Sequence, residues 1–222
     1  MAAGLERRHS REIFIGPVHL AGDLWLPEAV RSLVVFAHGS GSSRLSSRNR
    51  AVAEALNRRG MATLLFDLLT ADEEADRANV FDISLLAGRL ADAVHWIDVR
   101  PDLSALPLGL FGASTGAAAA LVAAAQLRTR IGAIVSRGGR PDLAGPLLPQ
   151  VRAPTLLIVG GADREVLELN RQALAQLAGP KALRIVPGAT HLFPETGAMD
   201  TVIALAADWF GTYLAAPAPD AA

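Results

Sequence analysis

The chain of 222 residues contains no cysteine and a single lysine, Lys181. The absence of cysteine excludes a disulfide framework and any metal or redox site built on thiolates. The remaining basic residues are arginines, scattered along a chain whose formal net charge is -1. Because no basic tract is present, the sequence indicates no surface for nucleic acid or for a membrane. We therefore expect neither as a partner.

Aromatic residues and long apolar runs are also scarce. Aromatics make up only 5% of a chain that is 51% hydrophobic, so an aromatic-lined pocket is not indicated. The longest run of small apolar residues begins at Gly116 and is too short to span a bilayer. The first residues, MAAGLERRHSRE, are charged where a secretory signal becomes apolar. We expect a soluble, cytoplasmic protein whose residues 1–222 form a single domain.

The chain alternates short β-rich runs with longer helical patterns. Strands are predicted at SLVVFAHG, MATLLFDL, LPLGLFGAS, IGAIVSRG, PTLLIVGG and ALRIVPG, and helices over 49–59, 82–99, 166–177 and 199–214, with an alanine-rich helix ending at Leu127. The run EIFIGPVHLAGDLWLP predicts two strands joined near residues 21–23. After Leu214 the tail APAPDAA is expected to fray. The pattern predicts an α/β fold with a doubly wound, mostly parallel sheet.

Parallel strands carry their chemistry at their carboxyl ends, and one such end is LGLFGASTGAAAALVAAA, residues 108–125. It places Ser114 after an apolar strand and before an alanine-rich helix. A nucleophilic serine projects from a sharp, strained turn at which side chains two residues away would collide with neighbouring backbone. Gly112 and Gly116 remove that collision. The pattern therefore favours Ser114 as a nucleophile, with a helix-capping serine as the alternative.

A serine hydroxyl needs a base, and in this fold the chain order is serine, acid, histidine. His191 is the one histidine after Ser114, and it follows the predicted strand ALRIVPG. Asp163 lies two residues past the strand TLLIVG and is the predicted orienting acid, with Asp142 as the alternative. Asp163 could also serve as an N-cap for the helix that follows.

An oxyanion needs two backbone N–H donors, which we assign to Thr115 and Ser40. Thr115 follows the nucleophile, and Ser40 lies in GSGSS after the strand SLVVFAHG. Gly39 and Gly41 lack the third glycine of a dinucleotide fingerprint, so no NAD site is indicated. No cluster of histidine and carboxylate residues has metal-ligand spacing, and no metal or other cofactor is expected.

The rest of the chain bears on the substrate. The longest insertion, LLTADEEADRANVFD, follows the strand ending at Asp67 and is too short for a helical lid, which favours small, short acyl groups over lipids. We expect a solvated acidic surface formed by Asp67, Asp72, Glu73, Glu74 and Asp76. In VSRGGRPDL, Arg137 and Arg140 follow a strand and could bind an anionic substrate group at the mouth of the site. Arg44 and Arg48 could contribute to the same pocket. The alternative is a structural role, pairing with Asp142 or other carboxylates.

The segments VVFAHGSGSS, FDLLT, GASTGAAAAL, SRGGRPDLA, LLIVGGADREV and GATHLF resemble the dienelactone hydrolase-like branch of the α/β-hydrolase superfamily, over residues 32–210. The resemblance implies an eight-stranded core without a large cap domain and a triad of Ser114, Asp163 and His191. Dienelactone hydrolases proper use a cysteine nucleophile, which this chain lacks, so a serine ester hydrolase fits better. The sequence is also similar to hydrolase domains fused to a phosphoribosyltransferase in some bacterial proteins, although we expect no second domain here.

These features predict a metal-independent serine hydrolase that cleaves small, short-acyl esters through an acyl-enzyme. A thioesterase or lactone hydrolase of the same family would use the same attack. Two further alternatives are a lyase or perhydrolase using the same residues and a binding protein on the hydrolase fold. The sequence does not determine the oligomeric state.

Overall fold

The computed structural model describes residues 10–215, and the predicted frayed tail APAPDAA lies outside them. Eight strands form one sheet in the order β1-β2-β4-β3-β5-β6-β7-β8. Their bounds are β1 Ser10–Ile15, β2 Leu20–Trp25, β3 Ser32–Ala37, β4 Met61–Phe66, β5 Leu108–Ala113, β6 Ile131–Arg137, β7 Thr155–Gly160 and β8 Lys181–Val186. The first two strands pair antiparallel, and β3 to β8 are parallel to one another. The predicted doubly wound, mostly parallel sheet is confirmed.

Helices cover both faces of the sheet. They are α1 Ser47–Arg58, α2 Ala71–Ala75, α3 Arg77–Phe81, α4 Ile83–Asp98, α5 Thr115–Leu127, α6 Arg164–Gln176 and α7 Ala198–Tyr213, with a 3-10 segment at Pro141–Gln150. One apolar core lies between the sheet and α4 and α5, and a second lies between the sheet and α1 and α7. Over residues 10–215 no cap domain covers the sheet, and no helix is long and apolar enough to cross a membrane.

The helices α4 and α5 differ in how much of their surface is buried, because α5 consists mainly of small residues. In α4 the predicted apolar stripe is buried, whereas α5 is buried on all sides from Thr115 to Ala125. The small alanine side chains let α5 fit between the sheet, α4 and the 3-10 segment. This close packing holds the amino end of α5 firmly beneath the residue that precedes it.

The predicted position of the first turn is wrong. The chain turns at 16–19, where Gly16 has φ +67° and the His19 N–H donates to the Gly16 carbonyl at 3.2 Å. Gly22, which suggested the turn, lies inside β2, where an added Cβ would come within 3.0 Å of the Phe66 Cβ. A glycine in a strand can thus mark a close approach of the neighbouring strand as well as a turn.

The acidic insertion is ordered into two short helices, α2 and α3, rather than a loop. Thr70 and Glu73 form a capping box at the start of α2. Glu73 also binds Arg89 of α4 at 2.6 Å, and Asp67 binds Arg44, so the interpretation as a solvated acidic surface is wrong for these two carboxylates. Each anchors an arginine from another part of the chain.

Candidate active site

Ser114 occupies a strained turn between β5 and α5. Its backbone angles are φ +52° and ψ -121°, which a residue with a side chain rarely adopts. Three backbone hydrogen bonds hold it there: the Ser114 N–H donates to the Arg137 carbonyl at 3.3 Å, and the Ser114 carbonyl accepts from Ala117 and Arg140, both at 3.1 Å. Two of these bonds come from Arg137 at the end of β6 and Arg140 just after it, so the neighbouring strand helps to hold the strained turn.

The glycines around Ser114 are required by sterics. A Cβ at Gly112 would overlap the backbone of Ala117, and one at Gly116 would overlap the carbonyl of Ala37. A Cβ at Gly39 would lie 2.9 Å from the Ser114 Cβ. The small residues bring β3, β5 and α5 closer together than side chains would permit.

His191 and Asp163 form a hydrogen-bonded pair at the same edge of the sheet. The His191 Nδ1 lies 2.7 Å from Asp163 Oδ2, in a contact in which the carboxylate is mostly buried and the imidazole more open. Asp163 occupies the N-cap position of α6 but makes no capping hydrogen bond through its side chain. Asp142 instead forms a bidentate pair with Arg140, at 2.9 and 2.7 Å. The structure therefore brings Asp163, and not Asp142, to the histidine.

The residues after β6 bring His191 and Ser114 near each other. An added Cβ at Gly138 would lie 2.9 Å from the His191 carbonyl and 3.7 Å from its ring carbon Cε1, while the preceding residue, Arg137, holds the Ser114 N–H. Between residues 10 and 215 no hydrogen bond joins the His191 ring to the Ser114 Oγ. Contacts of this kind are often long before substrate binds and shorten in the reacting complex.

The two predicted oxyanion donors also meet. Thr115 is the first residue of α5, so its N–H has no acceptor within the helix, and the Ser40 N–H lies 3.1 Å from the Thr115 Oγ1, to which it donates. Ser40 therefore lies beside Thr115, the residue after Ser114, but its N–H is bound to a hydroxyl. To serve an oxyanion it has to exchange that partner.

A small cavity of about 170 Å³ opens beside the oxyanion donors. Gly39, Ser40 and Thr115 line it on the side of the nucleophile. Its other walls combine apolar side chains with two carboxylates: Leu68, Leu69, Val80, Leu86, Asp67 and Glu74. A cavity of this size can receive a short acyl or alkyl group beside the reacting carbonyl.

His38 lies beside the site, although its place at the turn after a predicted strand indicated no role for its side chain. Its Nε2 accepts the Leu68 N–H at 3.1 Å, so the ring proton lies on Nδ1, 3.0 Å from the Gly39 carbonyl. Burial lowers the pKa of His38, outweighing its own hydrogen bond to Gly39 and the nearby carboxylates of Asp67 and Glu74. The neutral imidazole thus joins the loop after β3 to the one after β4. The sequence feature that pointed to His38 was its position at the end of a predicted strand, directly before the GSGSS loop.

The four predicted arginines have different environments. Arg44 pairs with Asp67 and lies 3.8 Å from Asp23, and Arg140 pairs with Asp142 as the structural alternative supposed. Arg137 does not reach the surface mouth of the site, because it is only 6% exposed, and Arg48 is half-buried. The burial of Arg137 could have been predicted from the sequence, because side chains alternate along a strand. Arg137 lies on the same face of β6 as Ala133 and Val135, which belong to the apolar core beneath α1 and α7.

The described part of the chain holds no group of three or more histidine and carboxylate side chains that could bind a metal ion. The groups that meet at this sheet edge are a hydroxyl, an imidazole and a carboxylate, with backbone N–H groups at a helix amino terminus. That set is suited to nucleophilic attack on a carbonyl carbon. The roles of the individual residues stay predictions.

No family model matches the chain. A crystal structure of a dienelactone hydrolase from Anabaena variabilis is 52% identical, with a TM-score of 0.88, and the match covers 93% of this chain and all of that one. Est1E from Butyrivibrio proteoclasticus has a TM-score of 0.78 over 93% of this chain and 99% of its own, at 16% identity. The second likeness concerns the fold alone.

A protein of Mycobacterium tuberculosis H37Rv named "Putative phosphoribosyl transferase" is 61% identical over 208 residues. The match covers 94% of this chain but 47% of that protein, so the chain spans about half the length of these curated relatives. The name "Putative phosphoribosyl transferase" therefore belongs to proteins about twice as long as the region that matches this chain.

Proposed function

The chain belongs to the dienelactone hydrolase-like family of α/β hydrolases, and from that premise we propose that it hydrolyses small, short-acyl carboxylic esters through Ser114, His191 and Asp163. The observation that carries the proposal is a serine at φ +52° on a strand-to-helix turn, at the same sheet edge as a histidine bound to a carboxylate at 2.7 Å. Strained backbone of this kind clusters at functional sites, and here it coincides with the hydroxyl that the triad requires.

In the proposed reaction the neutral His191 takes the proton of the Ser114 hydroxyl as its Oγ attacks the ester carbonyl. The tetrahedral intermediate collapses, the C–O bond to the alcohol breaks, and His191 returns the proton to the departing alcohol. The acyl group is left on Ser114. Water, deprotonated by the same histidine, then attacks the acyl-enzyme and releases the acid and the free hydroxyl.

Asp163 acts by holding the Nδ1–H tautomer of His191, which leaves Nε2 to accept the proton. The developing oxyanion takes the N–H of Thr115 and that of Ser40. Because the Ser40 N–H binds the Thr115 hydroxyl in the free protein, the oxyanion replaces a hydroxyl as its acceptor. A charged acceptor forms the stronger hydrogen bond, so this exchange favours the charged intermediate.

The cavity beside Ser40 and Thr115 supports the restriction to small substrates. Its volume of about 170 Å³ suits a short acyl group, and the acidic insertion forms short helices instead of a lid that would shelter a longer one. The partner that this geometry favours is a small-molecule ester. We propose no nucleic-acid or membrane partner.

A lactone hydrolase is the second candidate, favoured by the 52% identity to a protein named dienelactone hydrolase. The attack on the carbonyl is the same, but the leaving alkoxide stays attached to the acyl group. Comparing hydrolysis of small unsubstituted lactones with that of linear esters of equal carbon number separates the two. A higher kcat/KM for the lactones would favour this candidate.

The test is a panel of nitrophenyl esters of graded acyl length, combined with labelling by a fluorophosphonate probe. We expect turnover to fall as the acyl chain lengthens, and we expect the probe to label the wild type and not Ser114→Ala. Ser104→Ala, remote from the site, is the matched control and should label normally. An unlabelled, inactive wild type would instead support a binding protein on the hydrolase fold.

A further inference from the structure

Arg137 and Arg48 lie together where β6 ends and α1 begins. Arg137 is the last residue of β6, and its Nη2 lies 3.5 Å from the Oδ1 of Asn49, which is itself 2% exposed. Its own carbonyl accepts the Ser114 N–H, so the guanidinium belongs to a residue in direct backbone contact with the nucleophile. Arg48 adjoins Asn49 in the first turn of α1.

Among residues 10–215, neither arginine has a carboxylate partner. The Nε atoms of Arg48 and Arg137 are buried without a hydrogen bond, as are those of Arg44 and Arg89. Arg44 and Arg89, however, contact a carboxylate within 3 Å through another nitrogen, and Arg140 also contacts one. Burial first, and the charge of Arg48 second, lower the pKa of Arg137 to about 10. At neutral pH the Arg137 guanidinium therefore stays charged, and the neighbouring Arg48 repels it. Buried charges in proteins are ordinarily paired.

The amino end of α1 adds a third positive element. The helix is 12 residues long, is capped by the Ser46 side chain and has no acidic residue in its first turn. Its dipole places partial positive charge where Arg48 and Asn49 lie. Two guanidiniums without a carboxylate partner and a helix amino terminus thus converge, and no carboxylate among residues 10–215 pairs with them.

We propose that Arg48, Arg137 and the amino end of α1 form a buried subsite for a phosphate group carried by the substrate whose acyl group Ser114 attacks. A phosphate monoester is preferred to a carboxylate because it carries nearly two negative charges, which match two arginines, and offers three oxygens to their fork-shaped donors. The assignment to the substrate rests on the proposed function. The binding of phosphate itself does not.

The test is calorimetric titration of the full chain with inorganic phosphate at about pH 8, above the second pKa of phosphate groups. We expect the wild type to bind, and Arg48→Gln or Arg137→Gln to weaken binding by about 10- to 100-fold, as losing one charge-assisted contact does. Arg59→Gln is the matched control. It removes the same charge from the other end of α1, where Arg59 is already paired with Asp208 at 2.6 Å, and should leave binding unchanged.

Three outcomes would overturn the subsite: no binding of phosphate by the wild type, equal weakening in Arg59→Gln, or acetate binding as tightly as phosphate. If Arg137→Gln fails to fold, the partly exposed Arg48 supplies the comparison. If Ser114→Ala keeps full ester turnover while phosphate binding still depends on Arg48, the hydrolase mechanism fails and the anion site stands. Competitive inhibition of neutral-ester hydrolysis by phosphate would show that the phosphate site overlaps the ester-binding site. Purely non-competitive inhibition would show that phosphate binds outside the substrate-binding site.

Discussion

The turn that carries Ser114 and the wall of the neighbouring cavity are stabilised by different interactions. On the side of Ser114 the backbone decides the shape: glycines admit close strands, α5 is packed in alanine, and the strained turn is fixed by main-chain hydrogen bonds. On the side of the cavity, side-chain ion pairs decide it, because Asp67 and Glu73 hold arginines from distant segments. We therefore expect substitutions around Ser114 to lower turnover or to create steric strain. Substitutions in the ion pairs on the cavity side should instead lower the free energy of unfolding modestly.

The largest effect should come from the nucleophile itself. Ser114→Ala and His191→Ala are each expected to lower kcat by about 10⁶-fold, because nucleophile and base act as one unit. The double variant should be no worse than either single variant. Steady-state kinetics on a nitrophenyl ester measure all three, and a Ser114→Ala protein retaining a tenth of the wild-type rate would contradict the mechanism.

A smaller loss should follow from the acid. Asp163→Asn is expected to lower kcat by about 10⁴-fold while the protein stays folded, because the amide presents the wrong partner to His191 Nδ1. Asp142→Asn should change kcat by less than about 10-fold, since Asp142 binds Arg140 instead. Circular dichroism checks the fold of both variants. The reverse ranking would move the acid to the segment after β6.

The steric argument is tested by adding one methyl group. Gly116→Ala is expected to lower the free energy of unfolding by about 3 kcal/mol, because the new Cβ would overlap the carbonyl groups of Ala37 and His38. Gly88→Ala is the matched control inside α4, where an added Cβ meets nothing within 4 Å, and it should stabilise by about 0.5 to 1 kcal/mol. Equal effects in urea unfolding would show that close packing at Gly116 is not limiting.

On the cavity side, Glu73→Gln is expected to lower the free energy of unfolding by about 1 to 2 kcal/mol, because Arg89 is 8% exposed and would keep only the more distant carboxylate of Asp92, at 3.9 Å. Turnover should change less than about 10-fold, since no reacting atom is involved. Glu168→Gln, which breaks an exposed pair with Arg171, should cost at most about 0.5 kcal/mol. A large loss of turnover in Glu73→Gln would show that the two sides are not separable.

The smallest effect concerns pH. The buried His38 has a lowered pKa in the folded protein, so between that pKa and 6.5 the unfolded chain binds more protons. Stability should therefore fall as pH drops through about 6.5, and His38→Gln should flatten this fall, seen as melting temperatures between about pH 7.5 and 5.5. His95→Gln, at an exposed position on α4, should leave the slope unchanged. An identical slope in both variants would contradict a neutral His38.

Much of the nucleophile side could be predicted because its determinants are local. The spacing Gly112-x-Ser114-x-Gly116 encodes the steric requirement within five residues, and the helix that follows is visible in its alanines. The cavity side could not be predicted in this way. Whether Asp67 is solvated depends on Arg44, and whether Glu73 is solvated depends on Arg89, partners that lie 23 and 16 residues away. Their pairing follows from packing rather than from spacing.

By itself the sequence determined the alternation of strands and helices, the doubly wound sheet and the residues that end each strand. Local sterics and periodicity suffice for these, because each depends on neighbours a few residues apart. Only the tertiary structure decided that Asp163 rather than Asp142 meets His191, that Ser40 donates to the Thr115 hydroxyl, and which arginines have partners. Side-chain partners are chosen by the folded arrangement of strand ends, where a displacement of a few ångströms separates a hydrogen bond from none.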